Sequence, residues 1–332
     1  MTSPNRFASL AALLFLAGAL LFSACSSSSQ TQAPPAYIEG DQYVLAFRVP
    51  SGQTFDGTME VDNDMDMFVM GQSMAMKQAQ TFFYEYNVVS MEEETGLITI
   101  EQTLRRVKGS VENDMVGAQS YDTSDEDGGG PMAEQQGAML DVPIRFTMTP
   151  TGKVQSVDSV EDIRQRLSDN ALSEAQRTMI EDMLGDGNFS SNMQTFSYFP
   201  DAPVSVGESW TTQNRVNTGM EMMMDATYTL DRVEADTAFL QVAIDTYTPD
   251  DAEVMENMGG EMTMDMTGTM TGTAVVDLPT GLIRSMDLDS QMDADATVSQ
   301  GGQTFDMEMS ITGKNVSTTT APTPASDGTS DE

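Results

Sequence analysis

Methionine is the residue type whose number and spacing could do chemistry in this chain. There are 29 of them, and many stand two apart: Met65-Asp-Met67, Met74-Ala-Met76, Met220-Glu-Met222-Met-Met224, Met262-Thr-Met264-Asp-Met266 and Met307-Glu-Met309. On a strand that spacing puts both thioethers on one face. Two uses fit. Thioethers are soft donors that select Cu(I), so an exported methionine-rich chain could hold or buffer that ion. Alternatively, the alternate positions are a dry face, filled by a flexible side chain that suits a groove accepting varied apolar chains. Copper sites usually add histidine or cysteine, and this chain has no histidine and a single cysteine. The apolar-ligand face is therefore the favoured reading, with Met262, Met264, Met266, Met307 and Met309 as its candidate residues. Cu(I) handling is the alternative.

Other chemistry is sparse. Without histidine there are no histidine-based triads, no imidazole zinc ligands and no usual general base. Gly207-Glu-Ser209-Trp-Thr begins like a nucleophile elbow but lacks the closing glycine and opens a strand. Carboxylates are so numerous, at 52, that some pair always resembles a glycosidase dyad, and nothing singles one out. Asp62-Asn63-Asp64-Met65-Asp66 alternates oxygen ligands but misses the glycine and distal glutamate of a calcium loop. Asp122 to Gly128 reads as a solvated acidic loop. No enzyme activity and no cofactor are expected.

The one cysteine has a different setting. Arg6, an apolar run from Leu10 to Phe22, and Ser23-Ala24 before Cys25 make a short export signal followed at once by polar residues. Leu21-Phe22-Ser23-Ala24-Cys25 resembles the lipobox of bacterial lipoproteins, with Phe22 where leucine is usual and Leu21 one place earlier. That resemblance implies acylation of Cys25 and anchoring of the mature chain to a membrane. Ser26 in place of an aspartate implies the outer membrane of the cell envelope.

Composition limits the partners. The formal charge is −37, from 52 acidic and 15 basic residues. Such a surface repels nucleic acid and anionic headgroups, so no nucleic-acid partner is expected. Acidic excess with few lysines is the halophilic style, and an acidic exported protein of a moderate organism has the same look. With one cysteine, no disulfide can form within the chain. Stability must come from burial.

The elements that position the methionines read as antiparallel sheet. Phe305, Met307, Met309 and Ile311 alternate with polar residues, and Met262 to Leu278 holds one parity with Gly268 and Gly272 as expected bends or bulges. Similar runs stand at Tyr43–Val49, Phe82–Val89, Leu97–Leu104, Ile144–Met148, Tyr228–Val233 and Phe239–Ile244. Two capping-box patterns, Ser159-Val-Glu-Asp162 and Ser173-Glu-Ala-Gln176, predict short helices over 160–168 and 173–184. An internal duplication is also legible. Pro50 to Phe55 echoes Val206 to Trp210; Tyr84–Val89 echoes Tyr228–Val233; and Pro150-Thr-Gly152 echoes Pro279-Thr-Gly281.

The expected organisation is a signal peptide over 1–24 and a lipidated tether over 25–36. A first β half over 37–158 contains a mobile acidic loop at 121–137. A helical insert at 159–200, a second β half at 201–316 and a disordered tail at 317–332 complete it. The fold class is mainly β: two similar antiparallel meanders forming curved sheets or an open barrel.

This ordering, with Phe199-Pro-Asp-Ala-Pro-Val204-Ser-Val-Gly207-Glu-Ser-Trp210 in mid-chain, resembles a family of uncharacterised two-part β-rich bacterial lipoproteins of the Bacteroidota type. That family implies no activity. A looser architectural likeness is to periplasmic lipoprotein carriers, whose curved sheet holds acyl chains. Together these readings point to a non-enzymatic envelope lipoprotein. It would bind an apolar or amphipathic small molecule in a sheet concavity, or serve as an assembly or surface partner.

Overall fold

The computed structural model describes residues 38–39, 42–69, 71–113, 117–125, 133, 136–137, 140–158, 165, 198–217, 221–250, 252, 255–257, 260–300 and 303–324. Cys25 with its signal and tether, the expected helical pair apart from Gln165, and the last eight residues of the chain lie outside them.

Alternation of apolar and polar residues makes strands, because successive side chains point to opposite faces. In chain order these are β1 (Ile38–Glu39), β2 (Gln42–Tyr43), β3 (Gln53–Val69), β4 (Gln72–Met91), β5 (Ile98–Asn113), β6 (Gly117–Asp122), β7 (Pro143–Met148), β8 (Val154–Asp158) and β9 (Val204–Ser205). The second half adds β10 (Ser209–Asn217), β11 (Glu221–Glu234), β12 (Thr237–Tyr247), β13 (Met255–Asn257), β14 (Gly260–Asp277), β15 (Leu282–Gln300), β16 (Gln303–Thr319) and β17 (Thr323–Pro324). The described fold is all β and antiparallel throughout.

Fourteen of these strands form one sheet, whose path runs β10-β11-β12-β14-β15-β16-β3-β4-β5-β7-β8. Each expected half is a meander, and β16 returns to pair with β3 along its length, so the two halves share one continuous sheet. The path ends at β10 on one side and β8 on the other, so among the described residues hydrogen bonding does not close it. From Phe55 to Met65 and from Met76 to Val88 every second residue is buried. A second, three-stranded sheet of β1, β2 and β9 sets Tyr43 and Val204 against the core of the second half. Elsewhere the long sheet curls and packs its inner side chains on one another, so that Val111 on β5 and Met222 on β11 join one cluster.

The duplication has a physical signature. Gly52 and Gly207 both take left-handed φ, 76° and 88°, which glycine adopts at no steric cost. Their N–H groups donate to Val88 and Leu230 at the same distance, 2.7 Å. Three residues on, Phe55 pairs and stacks with Tyr86, and Trp210 pairs and stacks with Tyr228, at 5.0 and 5.6 Å between ring centres. Tyr228 therefore corresponds to Tyr86 and not to Tyr84, as the sequence echo suggested. A two-residue slip keeps every side chain on its face, so the alternation pattern cannot detect it.

The halves are clasped at the turn end by the segment following β2. Tyr43–Val49 reads as a strand in the sequence, but only Gln42–Tyr43 pairs. Residues 44–50 instead run as a strap between the two Pro-Thr-Gly turns. Phe47 N–H donates to Pro150 O at 2.6 Å, and Arg48 N–H to Thr280 O at 2.7 Å. The strap gives Leu45 to the core of the second half, and Phe47 and Val49 to that of the first. Each such burial contributes about 1.5–3 kcal/mol. Arg48 locks it by donating to the carbonyls of Ala46 and Val44, each at 3.1 Å, and Leu278 at 3.3 Å.

Three other expectations are corrected. The chain stays ordered beyond residue 316: Ser317 is buried on β16, Asp56 N–H donates to Thr320 Oγ1, and β17 pairs with β3. Threonine-rich polar sequence suits an outer strand as well as a tail. The acidic stretch from Tyr121 begins inside β6, where Tyr121 is buried over Gly109 and receives a hydrogen bond from Gln80 at 2.7 Å. Gly268 and Gly272 mark no bulge. They lie on the inner face, where a Cβ on Gly268 would meet Met292 Cγ at 2.6 Å and one on Gly272 would meet Asp287 O at 1.9 Å. The register shift falls later, between Val275 and Val276.

Candidate functional site

The inner face of the curled sheet has three layers along the strands. Nearest the strap is an aromatic layer of Phe55, Phe82, Tyr84 and Tyr86 on β3 and β4, with Trp210 and Tyr228 across the sheet. Tyr198 joins the halves there: its carbonyl accepts from Trp210 Nε1 at 2.8 Å, its ring meets Tyr228 edge-on, and Phe199 N–H donates to Thr151 O. Burial pushes the hydroxyls of Tyr84, Tyr86, Tyr198 and Tyr228 up, so all four are neutral at ordinary pH.

At the far end the face turns to methionine. Met65, Met76, Met266 and Met309 are buried in one cluster with Ala294 and Ile311, and Met67, Met222, Met264 and Met292 pack against it. Register explains the gathering. Met65 pairs with Met76 and with Ile311, Met67 with Met309, Met309 with Ala294, and Ala294 with Met266. Small residues stand opposite large ones, so Gly268 makes room for Met292. The thioethers fill the interior: Met266 is 1% exposed and Met65 2%.

Of the residues singled out in the sequence, Met264, Met266 and Met309 thus meet in this cluster. Met307 lies on the same face one step further along β16, paired with Ala296 and Val69. Met262 continues the row on β14 opposite Val298, with its backbone alone described. Sequence reasoning did not place Met65, Met67, Met76, Met222 and Met292 in the site, although four of these carry the same two-apart spacing. Met292 has no methionine neighbour at that spacing and is found only through its pairing with Gly268 and Ile311.

Between aromatic and methionine layers lies a polar belt that alternation alone did not flag. Asn63, Gln78, Gln80 and Ser290 are all buried; Ser317 is buried too, but in the row of Met59 and Phe82, within the aromatic layer. Asn63 pairs with Gln78 on one side and with Gly313 on the other, and Gly313 pairs with Ser290. A Cβ at Gly313 would meet Asn63 Oδ1 at 2.0 Å and Ser290 Oγ at 3.0 Å, so the Asn63 amide lies over that glycine beside the serine.

Charge is sorted just as strictly. On β3, β4, β5, β14, β15 and β16 the inner positions carry no charged side chain, apart from the buried Asp277–Arg284 pair at the turn end. Asp62, Asp64 and Asp66 stand on the outer face of β3, where Lys77 donates to Asp64 at 3.0 Å. Asp122, at the end of β6, is held below the usual carboxylate range by its ion pair with Arg106. Among the described residues no group of three or more acidic side chains could hold a metal ion. The arrangement can hold apolar matter and form neutral hydrogen bonds.

Among curated proteins none matches the sequence. The chain is faintly similar in structure to OccK7 (OpdD) of Pseudomonas aeruginosa, at 9% identity and a TM-score of 0.23, covering 82% of this chain and all of that one. It is similarly distant from an outer membrane channel of Pseudomonas putida F1, at 8% identity and a TM-score of 0.25, covering 87% of this chain and all of that one. Likenesses at these scores carry no argument. The sequence comparison is informative: a family profile matches residues 95–283, from the turn before β5 through both Pro-Thr-Gly turns to the start of β15. The chain belongs to this family, DUF6263, a family of unknown function.

Proposed function

We propose that this protein is a non-enzymatic envelope lipoprotein, anchored through Cys25 at the outer membrane, that takes up an apolar or amphipathic ligand inside its curled sheet. The observation that carries the reading is the uncharged inner face of a chain with net charge −37, ending in a methionine cluster. Methionine has three rotatable side-chain bonds and packs adaptably, so a guest chain can displace these side chains at low cost. Among the described residues β8 and β10 pair on one side only, which lets the sheet widen without breaking a ladder. Cu(I) handling is the second reading, favoured by the gathering of Met65, Met266 and Met309 in one buried cluster.

One double substitution separates the two. Met264→Leu with Met266→Leu conserves volume and should cost less than about 1.5 kcal/mol, leaving uptake of the neutral fluorophore N-phenyl-1-naphthylamine unchanged. If the sulfurs are ligands, the same change abolishes Cu(I) binding under anaerobic titration while the fold persists. We expect fluorophore uptake by both forms and no tight copper binding by either. Tight copper binding by wild type alone would replace the reading. For the anchor, Cys25→Ser should end incorporation of a clickable palmitate analogue and release the protein from membranes; an unlabelled wild type would remove the anchor.

A further inference from the structure

The polar belt carries a second inference, which rests on the ligand-binding reading and names the chemistry of the ligand. A polar layer between two apolar ones is costly unless its groups find partners, because a buried hydroxyl without a hydrogen bond loses about 1–3 kcal/mol. In the belt one hydroxyl, that of Ser290, is in that position, and two other buried hydroxyls of the inner face flank it, Thr246 in the methionine layer and Ser317 in the aromatic layer. Ser290 Oγ, Ser317 Oγ and Thr246 Oγ1 are buried, with residue exposures of 6, 3 and 3%, and have no hydrogen-bond partner among the described residues. Ser290 lies in the row of Asn63 and Gln78, Ser317 on β16 two rows nearer the strap, and Thr246 opposite Gly268 beside the methionines.

We propose that this belt is a binding site for the polar group of an uncharged lipid, an ester or hydroxyl set between apolar segments. One segment lies among the methionines and the rest faces the aromatic layer. The choice of a neutral group follows from what surrounds it. No lysine or arginine occupies the inner positions of the six long strands, apart from the Arg284–Asp277 pair at the turn end. A carboxylate or phosphate brought there would lose its hydration without gaining a counter-charge, which is far costlier than burying a neutral dipole. An ester or hydroxyl needs only the donors and acceptors present: serine and threonine hydroxyls and the amides of Asn63, Gln78 and Gln80. The outer surface adds to this selection, because its net charge repels anionic amphiphiles before they reach the sheet.

Three probes with the same eighteen-carbon, cis-9-unsaturated skeleton test this on the full chain reconstituted in nanodiscs: 1-monooleoylglycerol, oleate at pH 8, and (Z)-9-octadecene. Each is titrated by displacement of N-phenyl-1-naphthylamine. The site should bind monooleoylglycerol at least tenfold more tightly than either of the others. Ser290→Ala should remove most of that advantage and leave octadecene binding unchanged, and Thr246→Val, nearly isosteric, provides the same comparison should the serine variant fold poorly. Equal or tighter binding of oleate overturns the proposal. So does equal binding of octadecene, or an unchanged order in both variants, which would assign the belt to buried water. Displacement by none of the three, with no fluorophore uptake to begin with, overturns the ligand-binding reading itself.

Discussion

Substituting Gly281 by alanine should destabilise the protein by about 3–5 kcal/mol, the range reached only when a specific structural device is lost. Its φ of 68° already disfavours a side chain, by roughly 1–2 kcal/mol. The larger part comes from the strap: a Cβ there would stand 1.7 Å from Ala46 O and 2.3 Å from Ala46 C, so residues 44–50 must move. Moving them releases the Thr280 and Pro150 hydrogen bonds and exposes Leu45 and Phe47, which feed both halves of the core. Gly52→Ala is the matched control, since its φ is 76° but no atom lies within 4 Å of the added carbon. It should cost only the backbone term. Urea denaturation of both variants in molar salt checks the difference. Equal midpoints would show that the strap does not clasp the halves.

Stability should also rise with salt well past the physiological range. The outer face sets carboxylates directly opposite one another on neighbouring strands: Asp265 against Asp295, Asp295 against Glu308, and Asp225 against Asp245. At a cross-strand spacing of about 5 Å each pair repels by about 0.8 kcal/mol in water before screening. Shortening the Debye length from about 10 Å at 0.1 M to about 3 Å at 1 M removes most of what remains. These three pairs should return about 1 kcal/mol on that change, and the rest of the acidic excess should add to it. Such ion pairs as Lys314–Asp287, at 2.9 Å and half exposed, offset little. Asp295→Asn relieves two contacts at once. It should raise the urea midpoint at 0.1 M KCl and flatten the salt dependence; a midpoint indifferent to salt in the wild type would mean that the carboxylates are spread harmlessly.

Much of this architecture is legible in the sequence because alternation is a face-level signal. Phe305 to Ile311 and Met264 to Met270 lie on the faces that their parity assigns. The turn glycines of the duplication, Gly52 with Gly207 and Gly152 with Gly281, all have positive φ. Parity is silent about shifts by two, which is why Tyr228 aligned with Tyr84 in the sequence and with Tyr86 in the sheet. It is also silent about partners. The strap over 44–50 alternates like a strand, yet its hydrogen bonds go to two distant turns. Asn63, Gln78 and Ser290 look like breaks in separate apolar runs until β3, β4, β15 and β16 are placed side by side. The methionine cluster has the same origin: each strand contributes a pair, and only the register shows that Met65, Met309 and Met266 meet.

The most direct test of the interior as a binding chamber is methyl resonance spectroscopy of the full chain in nanodiscs, with ¹³C-methyl methionine and N-phenyl-1-naphthylamine as guest. The naphthyl ring current should shift the methyls of Met65, Met264, Met266 and Met309 on a common saturation curve and leave Met91, exposed at the strap end of β4, unmoved. Shifts confined to Met91 and other surface methyls, or none in the buried cluster at saturating probe, would contradict the account and return the methionines to a closed structural core.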